Sequence, residues 1–154
     1  MRQSQWECND PAFFQEVFSQ AEVLSLAINK EDGFPYAIPV NFVYLDGKLY
    51  FHSSLKGMKM DLIARDGRVG FHAASDILVS QEKSTSYYKS VCGTGLAQPV
   101  EDLQEKGKAL DAIARRYHAA CPVPTPENTL RHVGIVRIDV ETLTGKRRLP
   151  REQG

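Results

Sequence analysis

Two β-rich runs joined by a bare Asp-Gly pair constrain this chain more than any other feature. YAIPVNFVYL (36–45) and KLYFHSS (48–54) flank Asp46-Gly47. A two-residue loop of this composition favours positive φ at both positions, which matches the twist of antiparallel strands. The pair predicts a hairpin, and the hairpin predicts an antiparallel sheet. Pro39 lies inside the first run and has no N–H to give to a ladder, so it is expected at an edge or a bulge.

The remaining chain reads as further short strands with helices between them. Asp10 and Pro11 make a helix start, and Phe13, Phe14, Val17, Phe18 and Ala21 recur at helical spacing through 11–21. Alternation marks a strand over 23–29, and Glu31-Asp32-Gly33 a turn. A short helix is expected over 57–66, a strand over 68–75 and a loop over 76–86. A long strand over 87–100 has Gly93 and Gly95 as bend points. Asp102 opens a second clear helix whose apolar stripe is Leu103, Leu110, Ile113, Ala114 and Tyr117, with Lys106 and Lys108 outside it. Residues 121–128 are Pro-rich and irregular, and 132–145 give a final strand. Residues 1–10 and 147–154 are expected to be loose tails of one domain spanning 1–154. Strands outnumber helices and meet through hairpins. The expected fold is therefore mainly β, an antiparallel barrel with helices on its outside.

Charge and cysteine content narrow the function. Nineteen basic and nineteen acidic residues give a formal net charge of zero, without the basic footprint of a nucleic-acid binder. Zero net charge also removes a repulsion that would oppose self-association. The three cysteines, Cys8, Cys92 and Cys121, form no C-x-x-C pair, so a reducing cytoplasm is the simpler setting. Apolar runs are far too short for a membrane span. Cys92 is expected to be a small core residue. His118, Cys121 and His132 flank a loop without the spacing of a zinc site, and no metal is expected.

The chemistry concentrates behind the hairpin. His52, Ser53 and Ser54 end a strand, and Lys56, Gly57 and Lys59 lead into the short helix. Hydroxyls, backbone N–H groups and lysines that converge on a helix N-terminus suit a phosphate. An ordinary cap with solvated lysines is the plain alternative. Neither G-x-x-x-x-G-K-[ST] nor G-x-G-x-x-G occurs. His52 reads either as a half-buried strand histidine or as a site residue. Asn41, among apolar neighbours, needs partners for its amide, from a ligand or from backbone at a bulge.

The same stretch resembles the nitroimidazole-resistance branch of the pyridoxamine 5′-phosphate oxidase-like flavoproteins. The resemblance rests on P-V-N-F-x-Y (39–44), the Asp-Gly turn, L-Y-F-H-S-x-x-x-G-x-K-x-D (49–61) and R-V-x-F (68–71). A-E-V-L-S-L-A (21–27), Y-x-S-V-x-G-x-G-x-A (88–97) and T-G-K (144–146) also fit. It implies an antiparallel split barrel that binds flavin mononucleotide (FMN) between the subunits of a homodimer. Ile38, Pro39, Val40, Asn41, Phe42 and Val43 would line the isoalloxazine ring. His52, Ser53 and Ser54 would lie near the ribityl chain and phosphate, Lys59 would pair with the phosphate with Lys56 as its helper, and Ser90 would reach the flavin from the partner. Met58 stands where the oxidase proper has a second basic residue, and the residues that hold pyridoxamine phosphate have no counterpart. The implied activity is an oxidoreductase of a small, possibly nitroaromatic, molecule with a nicotinamide reductant. A flavin, deazaflavin or haem carrier or sensor without turnover is the alternative.

Overall fold

The computed structural model describes residues 4–151. Its elements are α1 (Pro11–Gln20), β1 (Leu24–Asn29), β2 (Pro35–Val40), β3 (Phe42–Leu45), β4 (Lys48–Ser53), α2 (Met58–Arg65), β5 (Arg68–Ser80), β6 (Thr85–Pro99), α3 (Leu103–Tyr117), α4 (Glu127–His132) and β7 (Gly134–Arg148). The seven strands form one sheet in the order β2-β1-β5-β6-β7-β4-β3, and every pair is antiparallel.

The run 36–45, expected to be one strand, is two. β2 and β3 form the opposite edges of the sheet, and only Asn41 separates them in sequence. Two edges joined by a single residue must meet there, which curls the sheet into a barrel that stays open elsewhere. Pro39 sits on the edge strand β2, where its missing N–H breaks no central ladder. The Asp46-Gly47 hairpin has φ of 52° and 77°, the conformation its sequence favours.

Alternation along the strands divides the apolar residues between two cores. Phe18, Leu24, Leu26, Ile28, Phe42, Leu49, Phe51 and Ile138 are fully buried in the barrel. The ring of Phe18 meets that of Phe42 edge-on at 5.9 Å. The next residues along β3 and β4, Val43 and Tyr50, face the other way and pack under α3 with Leu110, Ile113 and Ile135. Burying a side chain such as Phe42 is worth about 1.5–3 kcal/mol. Asp10 and Asp102 cap α1 and α3, accepting from the N–H groups of Ala12 and Glu105. The Arg116 guanidinium donates to the carbonyls of Phe42 and Ala21 and lies 4.7 Å from the Phe42 ring. Tyr117 Oη donates to the Glu22 carbonyl at 2.9 Å. The end of α3 thus clamps the β2–β3 crossover to the start of β1.

Several expectations need correction. Residues 76–80 and 85–86 belong to β5 and β6, not to a loop. A register shift between Ser75 and Leu78, with Asp76 at φ 52°, hides the alternation there. The Lys89 ammonium bridges Asp76 and Glu16 at 2.9 and 2.8 Å, tying the hairpin to α1. Residues 127–132 form a short helix. Neither tail is loose throughout: Cys8 N–H donates to the Gly145 carbonyl, Glu7 pairs with Lys146 in an isolated antiparallel backbone bridge, and Arg147 and Arg148 continue β7. Residues 1–3 and 152–154 lie outside the described residues. Cys92 is exposed on the outer face of the sheet, because the strand's alternation puts Val91 inside. Lys106 is buried on α3 and Leu103 is exposed, the reverse of the expected stripe.

The bend in β6 is the register shift between Thr94 and Gly95. A Cβ on Gly95 would stand 2.5 Å from the Asp139 carbonyl oxygen and 2.8 Å from Ile138 Cγ2. Gly95→Ala is expected to cost about 1–3 kcal/mol of overpacking, read as a lower urea midpoint at unchanged slope.

Candidate functional site

β4 runs out of the barrel at Ser53, and the chain turns at once into α2. Gly57 has a φ of 140°, which residues with a Cβ rarely adopt. It lets the N-terminus of α2 open beside the strand end. A Cβ on Gly134 would meet the carbonyl oxygens of Ser53 and Ser54 at 3.0 and 3.2 Å, so a glycine is needed where β7 passes the same turn. Ser54 Oγ donates to the Lys56 carbonyl at 2.7 Å and fixes the loop.

The result is a groove of about 430 Å³ whose walls include His52, Ser53, Ser54, Lys56, Gly57 and Lys59. Five of the expected site residues therefore come together. Lys59 Nζ lies 5.6 Å from the Phe51 ring centre. Among the described residues neither Lys56 nor Lys59 has a carboxylate within ion-pair distance. Two unneutralised ammonium groups, backbone N–H groups of a helix start and two hydroxyls fit the phosphate of a phosphorylated cofactor.

His52 is half-buried, and its ring meets that of His118 edge-on at 5.7 Å. Burial, the His118 ring and the Lys59 charge all push the His52 pKa below its ordinary value. Its Nδ1 is buried with no partner among the described residues. An unpartnered lone pair is cheaper to bury than an unpartnered N–H. The neutral ring therefore carries its proton on Nε2, as a hydrogen-bond donor.

The expected flavin strand is only partly available. Tyr36 lines the groove, and Ile38 is half-buried on the same side of β2. Pro39 faces outward and is exposed, while Asn41 is half-buried at the crossover. Val40 and Phe42 are in the barrel core and Val43 is under α3, so these three side chains do not line the groove. The backbone of Phe42 is also engaged, its N–H with Tyr117 Oη and its carbonyl with Arg116. Ser90 is buried on β6 opposite Lys146, near the far end of β7 from the groove. Sequence reasoning missed Tyr36, Met60 and His118. Tyr36 was within reach, since it stands two residues before Ile38 on one strand. Among the described residues no group of three or more His, Cys, Asp or Glu could hold a metal. No described helix is long and apolar enough to cross a membrane.

Fold and groove together define an antiparallel split barrel with a cationic pocket at the end of its fourth strand. Residues 12–147 match the pyridoxamine 5′-phosphate oxidase family, and the chain belongs to it. Among solved structures, a candidate 5-nitroimidazole antibiotic resistance protein from Bacteroides thetaiotaomicron is 26% identical. That match covers 91% of this chain and 85% of the other, with a TM-score of 0.79. An FAD- and haem-binding protein from Mycobacterium smegmatis shares the fold at 15% identity, over 94% of this chain and 74% of its own, with a TM-score of 0.78. An F420 reductase does so at 18% identity, over 84% and 94%, with a TM-score of 0.56. No curated protein is significantly similar in sequence.

The neutral His52 has a consequence for stability. A histidine with a depressed folded pKa contributes stability above its unfolded value, about 6.5, and that contribution is lost as pH falls through the folded value. His52→Gln is expected to flatten the fall in melting temperature below about pH 6.5. An unchanged slope would show that His52 is not held neutral.

Proposed function

We propose that the protein is an FMN-dependent oxidoreductase that acts as a homodimer on a small molecule, of which a nitroaromatic compound is one class, in a reducing cytoplasm, with a nicotinamide reductant. The groove carries this reading: two lysines without carboxylate partners and a helix start converge at one strand end. Bound flavin would supply the electron transfer. The chain's own part is to hold and orient it, with Lys59 and Lys56 on the phosphate, Ser53 as a hydroxyl partner, Ser54 as a second once its hydroxyl turns from the Lys56 carbonyl, and Tyr36 and Ile38 along one wall. His52 would donate a hydrogen bond without bringing a charge. No carboxylate lines this groove, which suits chemistry limited by positioning.

The outer face of the sheet supports the dimer. Ala37, Ala27, Gly70, Thr94 and Thr142 stand in register across β2, β1, β5, β6 and β7. A parallel row runs through Pro39, Ser25, His72, Cys92 and Thr144. These two rows, mostly small side chains with no acidic or permanently cationic group among them, make a patch that a second copy could cover. In such a pair Ser90 would come from the partner to the flavin.

Lys59→Ala should weaken FMN by about 1.5–3 kcal/mol, the scale of a charge-assisted hydrogen bond, roughly ten- to 150-fold by calorimetry. Unchanged affinity removes Lys59 from the site. Ala27→Arg should give a monomer by light scattering and lose flavin with it. A dimer that persists places the interface elsewhere. Anaerobic bleaching of the flavin by a nicotinamide reductant separates an enzyme from a carrier, and the visible spectrum separates flavin from deazaflavin or haem.

A further inference from the structure

A second cavity, of about 260 Å³, lies on the other side of His52, between α3, α4 and the loop that joins them. Its walls include Leu110 and Ile113 from α3, Thr129 from α4, and Val133, with His52 and His118 at one side. Among the described residues no Lys, Arg, Asp or Glu lines it. The contrast with the groove is chemical. A phosphate or carboxylate placed here would give up hydration against the apolar walls with no lysine or arginine in return, which disfavours it. An apolar ring would lose nothing, and an apolar cavity of about 150 Å³ already admits benzene. The space is too small for a nucleotide or a porphyrin and suits one substituted ring.

We infer that this cavity is a binding site for an uncharged, single-ring molecule, with its polar substituent on the side walled by His52 and His118. His52 is the shared wall: one histidine separates a site built for an anion from a site that rejects one. The cavity stands independently of what fills the groove, and it can fail while flavin binding holds.

Benzamide and benzoate test the inference, since they have nearly the same shape and differ in charge. The full-length protein is titrated with each at pH 7.5, with and without FMN, and followed by two-dimensional amide NMR. Benzamide is expected to shift the signals of His118, Thr129 and Val133 and to bind at least tenfold more tightly than benzoate. Thr129→Trp, a bulky change at a half-buried position, should weaken benzamide at least tenfold and leave FMN affinity unchanged. The wild-type shift map stands without the variant should the variant fold poorly. Shifts confined to other residues, equal binding of benzoate, or no benzamide binding up to its solubility limit would each overturn the site. The FMN titration on the same samples reads the groove separately.

Discussion

The structure depends on one covalent constraint, the single residue between the two edge strands. Because Asn41 alone joins β2 to β3, the sheet cannot lie flat. Its edges are drawn together at that point, and the residues on either side, Val40 and Phe42, point into the enclosed space. The crossover leaves backbone groups outside any ladder, and buried backbone groups need partners. α3 supplies them through Arg116 and Tyr117. The helix is therefore part of the closure of the barrel. Arg116 in this position has no exposed ion pair to lose, and its two carbonyl acceptors come from segments that the crossover brings together.

Closure at Asn41 determines where the barrel remains open, and the groove lies there. β4 is paired on both sides as far as Phe51, where β3 begins opposite it at Phe42, and His52 and Ser53 continue on β7 alone, opposite Ile135 and Gly134. Its side chains follow from that pairing. Leu49 and Phe51 fill the barrel, Tyr50 fills the layer under α3, and His52 falls on the α3 side just where α3 ends. A rigid strand thus aims His52 between two cavities, and a glycine at 57 turns the chain so that Lys56 and Lys59 complete one of them. The residues that bring charge to the site are on the loop and the short helix, while the residues that set its geometry are on the strand.

Legibility in the sequence followed the range of the interactions. The Asp46-Gly47 turn, the Asp10 and Asp102 caps and the convergence of His52, Ser53, Ser54, Lys56 and Lys59 on one groove are determined within a few residues of chain, and each was readable. The division of 36–45 was not. Its apolar composition serves equally a single strand and two half-strands, and the break at Asn41 is imposed by a partner 75 residues away, Tyr117, whose hydroxyl meets Phe42 N–H. The extended β5–β6 hairpin was hidden because the bulge after Ser75 exposes Ile77, Leu78 and Val79 together, so alternation fails there. Placing Val40, Phe42 and Val43 on the flavin came from the family resemblance, and the fold puts their side chains in the two cores. Once the strand is cut, its second half belongs to the cores.

Zero net charge takes on a sharper meaning when charge is followed to its place. The acidic and basic residues balance overall, and half of the described ion pairs are local, namely Lys30–Asp32, Asp66–Arg68, Glu127–Arg131 and Arg137–Asp139. Exposed pairs of this kind contribute little to stability, but they remove charge from the surface field. What they leave without a described partner at the site is Lys56 and Lys59, beside a helix start of the same sign. Lys56 and Lys59 thus give the groove a local positive potential in a chain without net charge. Lys146 and Arg148 are placed elsewhere, over the Trp6 ring at the far end of β7, so overall neutrality is compatible with a cleft that attracts an anion.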